Sequence, residues 1–188
     1  MKKILVTGGS GFIGSNFIKY ISKIHPDYNI VNLDKVSNDY NCNNLRYVKG
    51  DISDRGFIFN LFEKEKFDIV INFASVQNYD EKTEDKSIFT LTNIIGTQAL
   101  LDASKECGVK IYHQVSTSEV YEDLENVGIP TYVASKLAAD NLVTAYEKEY
   151  GLKASISRCG EINNIDNYCK KIDDIIHNYN YGEIYDIN

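Results

Sequence analysis

Ile4-Leu5-Val6-Thr7-Gly8-Gly9-Ser10-Gly11-Phe12-Ile13-Gly14 opens the chain and decides its fold class. Ile4 to Thr7 is a short apolar run of strand type, and Phe12, Ile13, Phe17, Ile18, Ile21 and Ile24 then recur at helical spacing. Between strand and helix stand Gly8, Gly11 and Gly14, a G-x-x-G-x-x-G spacing. Glycines there permit a tight turn and let backbone approach a pyrophosphate, whose charge suits the positive end of the helix. The second apolar run ends at Asp34, 20 residues past Gly14. A carboxylate in that place accepts hydrogen bonds from a ribose diol and repels a 2′-phosphate, so NAD is expected in preference to NADP. Lys35 follows at once and weakens that preference. Phe12 and Ile13 belong to the same turn. Asp51 and Ile52 follow the third strand, where an adenine edge would be read, and Phe73, Ala74 and Ser75 end the fourth, near the dinucleotide.

Strand and helix patterns go on alternating to the end of the chain. Strands are expected near 29–33, 46–49, 68–73, 110–115, 153–157 and 183–187, and helices near 54–65, 84–107, 132–150 and 167–178. Strands apolar throughout suit a parallel sheet covered on both faces, so the expected fold is α/β, a Rossmann-like doubly wound parallel sheet. The 188 residues, with no repeat and no linker rich in Pro, Gly or Ser, predict a single NAD-binding domain over 1–188.

A net charge of −7 and a pI near 5.0 argue against nucleic acid or anionic lipid as partner. No apolar stretch approaches the ~20 residues of a membrane span, and Thr7 and Gly8 interrupt the opening run too soon for a signal peptide, which predicts a cytoplasmic protein. The four cysteines, Cys42, Cys107, Cys159 and Cys169, show no CxxC spacing, and His25, His113 and His177 are scattered, so no metal is expected and structural roles are assigned to all of them.

Tyr132 and Lys136 form a Y-x-x-x-K pair at a helix start, which places both side chains on one face. A phenol has an unperturbed pKa of ~10, and each unit of lowering takes about 1.4 kcal/mol from nearby positive charge. Lys136 and an oxidised nicotinamide can supply that charge. Ser116 and Thr117, at the preceding strand end, offer hydroxyls to a substrate oxygen.

These segments together resemble the extended short-chain dehydrogenase/reductases, and among them the nucleotide-sugar 4,6-dehydratases of the dTDP-glucose type. The resemblance runs through ILVTGGSGFIGSNF (4–17), HPDYNIVNLDK (25–35), RYVKGDISD (46–54), TNIIGTQALLDA (92–103), STSEVY (116–121), ASKLAADNLV (134–143) and GEIYDIN (182–188). Enzymes of that type oxidise C4 of the sugar with bound NAD, eliminate water across C5 and C6, and return the hydride to C6. The resemblance makes Tyr132 the base at the C4 hydroxyl, Lys136 its electrostatic partner, Thr117 the hydrogen bond to the C4 oxygen and Glu119 the base for the C5 proton. It also places Cys159 beside the cofactor and implies a homodimer through helices 84–107 and 132–150.

Three departures bear on the activity. Ser118 stands where the dehydratases carry an acid that protonates the departing C6 hydroxyl, and Thr-Ser-Glu looks more like the UDP-glucuronate decarboxylases. In Ser75 to Lys82, only Asp80 fits the family's sugar-side pattern. Between Cys159 and Ile165 the family inserts segments that hold the nucleotide diphosphate, so the C-terminal substrate domain is expected to be largely missing, with a remnant over about 160–188 and a nucleotide-sugar weakly held. The resulting expectation is sugar-nucleotide chemistry of the 4,6-dehydratase type, with Ser118 putting the elimination in question. The alternatives are decarboxylase-like or epimerase-like C4 redox chemistry, and a non-catalytic NAD-binding module or partner subunit.

Overall fold

Strand β1 (Lys3–Thr7) is the third of seven strands in the sheet of the computed structural model, which describes residues 1–37, 42–77, 85–121, 130–178 and 180–187. The other strands are β2 (Asn29–Asp34), β3 (Leu45–Lys49), β4 (Ile69–Asn72), β5 (Ile111–Thr117), β6 (Ala154–Cys159) and β7 (Ile184–Ile187). Their order is β3-β2-β1-β4-β5-β6-β7, and every pairing is parallel. Chain order reverses between β1 and β4, and a crevice opens outside the C-terminal strand ends at that point.

Side-chain alternation along β1 assigns one residue set to each face. Leu5 faces one core with Val31, Val70, Tyr112 and Ile156, covered by helices α2 (Arg55–Glu65), α4 (Thr97–Glu106) and α5 (Thr131–Tyr150). Ile4 and Val6 face the other, beneath α1 (Phe12–Ile24) and α6 (Ile165–Asn178). Tyr168, Cys169, Ile172, Ile175 and Ile176 form the buried stripe of α6. Each isoleucine removed from water there contributes about 1.5–3 kcal/mol, which docks a helix otherwise polar on its outer side.

Helix ends follow local chemistry. Asp54 caps α2 by accepting from the Phe57 N–H at 3.0 Å, an interaction worth ~1 kcal/mol. α5 stops at Gly151, whose φ of +67° suits a residue without Cβ.

The helix expected over 84–107 is a helical run with a wide turn in it: α3 (Ser87–Phe89), a π-helical segment (Thr90–Gly96), then α4. The π segment directs Asn93 inward, where Oδ1 accepts from the Val76 N–H at 2.9 Å and Nδ2 donates to Val76 O at 3.1 Å and to Ser135 Oγ at 2.9 Å. That side chain ties the strand end after β4 to the start of α5.

Candidate active site

The chain from β1 to α1 forms the floor of a groove at the C-terminal edge of the sheet. Gly8 has φ of +67°, and a Cβ on it would lie 2.6 Å from the Ala74 amide nitrogen, so only glycine fits between the two strand exits. A Cβ on Gly14 would lie 2.5 Å from the Gly8 carbonyl oxygen. Gly11 differs: it is exposed, its hypothetical Cβ meets only Gly8 O at 3.4 Å, and it lines the groove. Gly11 is the N-cap of α1 and contributes no side-chain cap, and no acidic residue occupies the first turn. The first-turn amides lack intrahelical acceptors and point into this space, a cradle fit for phosphate.

On one side of the glycine turn a cleft of about 310 Å³ is lined by Gly8, Gly11, Leu33, Asp34, Lys35, Ile52, Phe73, Ala74 and Ser75, among others. Asp34 is held at its rim, accepting from the Ser10 N–H at 2.9 Å and the Val36 N–H at 3.2 Å. Asp51 is not among the residues that line this cleft. It accepts from the Ser53 N–H at 2.9 Å and pairs at 2.7 Å with Lys35, which with Gly50 and Ile52 is part of the wall. Lys35, read as a charge that weakens the discrimination by Asp34, is thus engaged by Asp51.

On the other side lies a larger cleft, about 610 Å³, that shares Gly8, Gly11, Phe73 and Ser75 with the first. Into it come Phe12, Ile13 and Gly14 from α1, Thr117, Ser118 and Glu119 from the end of β5 and the 3₁₀ turn after it, Tyr132 and Lys136 from α5, and Cys159 from the end of β6. Among the sequence-assigned site residues, only Asp51 falls outside both clefts. Asp80 lies outside the described residues.

The electrostatics of this cleft arise from burial. Lys136 is buried and its Nζ donates to the Val115 carbonyl at 2.7 Å; burial pulls its pKa down to about 8, against the opposing pull of Asp140, so it is mainly protonated at neutral pH. Asp140 lies beneath it, also buried, and accepts from Arg158 Nε at 3.0 Å. One carboxylate thus stands between two cations, leaving net positive charge below α5. Burial, then Glu119, push the Tyr132 phenol up to about 12, while a hydrogen bond with Thr117 acts the other way. Thr117 Oγ1 donates to Glu119 Oε1 at 3.2 Å, so Tyr132, Thr117 and Glu119 form one connected set. The Tyr132 phenol therefore keeps its proton at neutral pH, and acting as a base would take further positive charge beside it.

Sequence reasoning missed Gln77, Gly160, Glu161 and Ile162 in the wall. The last three follow β6, and no local pattern marks them. Asp140 and Arg158 were missed as well, although Asp140 extends the i, i+4 series of Tyr132 and Lys136 on α5. The histidines separate. His113 is buried between Ser155 Oγ and Ser157 Oγ, at 2.9 and 3.0 Å, with a pKa driven down to about 3 by burial, which makes it structural. His25 and His177, far apart in sequence, meet on Asp173.

Comparison with known proteins agrees with this geometry. The chain matches the NAD dependent epimerase/dehydratase family over residues 4–184. It is 37% identical to the dTDP-D-glucose 4,6-dehydratase of Mus musculus over 91% of this chain, and 36% identical to the dTDP-glucose 4,6-dehydratase of Mycobacterium tuberculosis over 84%. The chain spans about half the length of these relatives, 53% and 52%. Among solved structures, the dTDP-glucose 4,6-dehydratase of Bacillus anthracis in complex with NAD superimposes with a TM-score of 0.81 at 27% identity, over 100% of this chain and 75% of that one. DesIV, the dTDP-glucose 4,6-dehydratase of Streptomyces venezuelae, with NAD and TYD bound, gives 0.82 at 29% identity, over 98% and 75%. By the glycine turn, the parallel sheet and these matches, the chain belongs to the NAD-dependent epimerase/dehydratase family.

Proposed function

We propose that this chain binds NAD along the glycine turn and performs C4 redox chemistry on a nucleotide-sugar, of the dTDP-glucose 4,6-dehydratase type. The observation that carries the reading is the single groove: a phosphate cradle at Gly11 to Gly14 opens directly onto Tyr132, Lys136, Thr117 and Glu119. Gly8, Gly11 and the first turn of α1 would hold the pyrophosphate. Asp34 would hold the adenosine ribose, and with Lys35 occupied by Asp51 its charge disfavours a 2′-phosphate. Ile52 and Ala74 would flank the adenine side, and Phe73, Ser75 and Cys159 the nicotinamide side.

Bound NAD supplies a hydride acceptor and the positive charge that the Tyr132 phenol lacks. Tyr132 then takes the proton of the C4 hydroxyl. Lys136 holds the phenolate by charge, fixed in place through Val115 O and kept cationic by Asp140. Thr117 hydrogen-bonds the C4 oxygen. Glu119, next along the connected set, takes the C5 proton.

The elimination is the weaker half. Ser118 lines the cleft where the dehydratases resembled carry an acid, and a hydroxyl protonates a leaving water poorly. General acid catalysis is typically worth ~10² to 10⁴-fold. Oxidation should therefore outlast dehydration. Among the described residues, the carboxylates lining the larger cleft are Glu119 and Glu161. The turn from β6 to α6 takes only residues 160–164, a short stretch with which to clamp a nucleotide diphosphate. We therefore expect weak substrate binding.

Incubation of the protein with NAD and a panel of nucleotide-glucose compounds tests the reading. Transient absorbance of reduced NAD that disappears in Tyr132→Phe, with cofactor affinity retained, is the expected result. Turnover that survives Tyr132→Phe removes the phenol from the chemistry. Absence of reduced NAD with every sugar nucleotide, in a protein that binds NAD, leaves the binding-module reading.

A further inference from the structure

The fold brings together, at the end of the sheet opposite the groove, three groups that no short motif connects. His25 caps the C-terminus of α1, and Asp173 and His177 stand one turn apart on α6. His25 Nε2 lies 3.0 Å from both oxygens of the Asp173 carboxylate, and His177 Nδ1 lies 3.1 Å from its Oδ1. One donor atom from each residue falls within 4.8 Å of the other two. Asp173 is buried and the two histidines are partly buried, so an ion placed there would be reached past the imidazole rings yet shielded from solvent.

We propose that His25, Asp173 and His177 form a binding site for a divalent ion of the zinc class. Two imidazole nitrogens are borderline donors that, with one carboxylate, suit zinc or cobalt, whereas calcium and magnesium prefer sites built from oxygen ligands alone. Metal bonds of ~2.0–2.1 Å in a tetrahedron set ligand atoms about 3.4 Å apart, so the two histidine–carboxylate distances of 3.0 and 3.1 Å need only slight spreading to admit an ion. Asp173 and His177 at i and i+4 form a chelate on one helix face.

The outer contacts hold both rings. Tyr28 hydroxyl bonds His177 Nε2 at 2.7 Å, leaving Nδ1 as the inward donor, and the Tyr28 ring stacks on His25 with centroids 4.4 Å apart. Such a partner on the remote nitrogen is what fixes ligating histidines. His177 Nδ1 now bonds the Asp173 carbonyl at 2.8 Å, and the ion replaces that bond. Lys2 Nζ lies 3.4 Å from the Tyr28 hydroxyl, so Tyr28 links it to His177. A bound ion would fasten α1 to α6 and strengthen the layer beneath Ile4 and Val6.

The test uses the intact chain at about pH 8, where free imidazole is neutral. Thermal unfolding is followed with zinc alone, with cobalt alone and with calcium alone, in wild type, His25→Ala, His177→Ala and Asp173→Asn. Zinc at a hundred times its Kd should raise the Tm by about 5 to 10 °C. Cobalt should give a visible absorption band of tetrahedral type. Calcium should do neither, and each variant should lose both responses. A zinc response equal in wild type and variants, or matched by calcium, overturns the proposal, as does no response in the wild type. Should the alanine variants fail to fold, His25→Gln and His177→Gln carry the cobalt comparison: a visible band lost in both supports the site, and one retained in both, or absent in wild type, overturns it.

Discussion

Gly11 and Gly14 stand three residues apart in one turn, and the same substitution should injure them in different ways. In Gly14→Ala the new Cβ falls 2.5 Å from Gly8 O and 2.8 Å from Gly9 Cα, both main-chain atoms that cannot rotate aside. Overpacking of this kind costs about 1–3 kcal/mol, and two rigid neighbours put it at the upper end. Alanine recovers about 1 kcal/mol of helix propensity, so the net loss is about 2 kcal/mol. For a chain of this size that is a fall in Tm of about 4–8 °C. In Gly11→Ala the Cβ meets one atom at 3.4 Å, and the backbone, at φ −72° and ψ 173°, accepts alanine. The poorer N-cap and the stiffer unfolded chain roughly cancel, at about 0.5–1 kcal/mol each. What Gly11→Ala adds is a methyl group in the phosphate cradle. NAD affinity should fall at least about tenfold, equivalent to 1.4 kcal/mol, with the Tm nearly unchanged. Thermal unfolding gives the first quantity and calorimetric titration with NAD the second. A Gly11→Ala protein that binds NAD as wild type does, or a Gly14→Ala protein that melts as wild type does, would refute this account of the turn.

Titration offers a second check, because Tyr132 is held up to about 12 in the folded protein against ~10 when unfolded. The folded state keeps that proton while the unfolded state releases it, so Tyr132 contributes stability below pH 10 that is lost as pH rises toward 12. Tyr132→Phe should flatten the alkaline loss of stability in that interval, and an identical slope in the two proteins would contradict the assigned burial. Ser118→Asp should raise the dehydration rate on a nucleotide-glucose, up to the ~10² to 10⁴-fold typical of general acid catalysis; fast dehydration by the unaltered chain would instead point to Glu161 or another proton source. Calorimetry should find NADP clearly weaker than NAD, and equal affinities would remove Asp34 from the ribose site. Leu91 and Ile95 are exposed apolar residues on the π segment, 49% and 41% accessible, and they fit a homodimer contact. Sedimentation should show a dimer that Leu91→Glu dissociates, and monomer alone at tens of micromolar counts against it.

What the chain order of residues determined was everything set by neighbours a few positions apart. The strand–glycine turn–helix at 4–24 was legible because φ, helix spacing and the phosphate cradle all depend on consecutive residues. The Tyr132–Lys136 pair was legible because a helix places i and i+4 on one face. Alternation of apolar runs was enough for a parallel sheet with both faces covered. Only the tertiary structure decided which distant groups meet. Asp51 was assigned to the adenine by its place after β3, and its pairing with Lys35 from the neighbouring strand exit was not foreseen, because an ion pair between strand ends has no signature in either segment. The wide turn at 90–96 brings Asn93 to Val76 and Ser135, partners that chain order does not announce. Asp140 acquires its role only when β6 sets Arg158 beside it. His25 and Asp173, 148 residues apart, become one cluster because α1 and α6 pack on the same face of the sheet. Short-range geometry is fixed by covalent reach and dihedral preference, whereas such contacts exist only after burial of the two cores has brought the helices together.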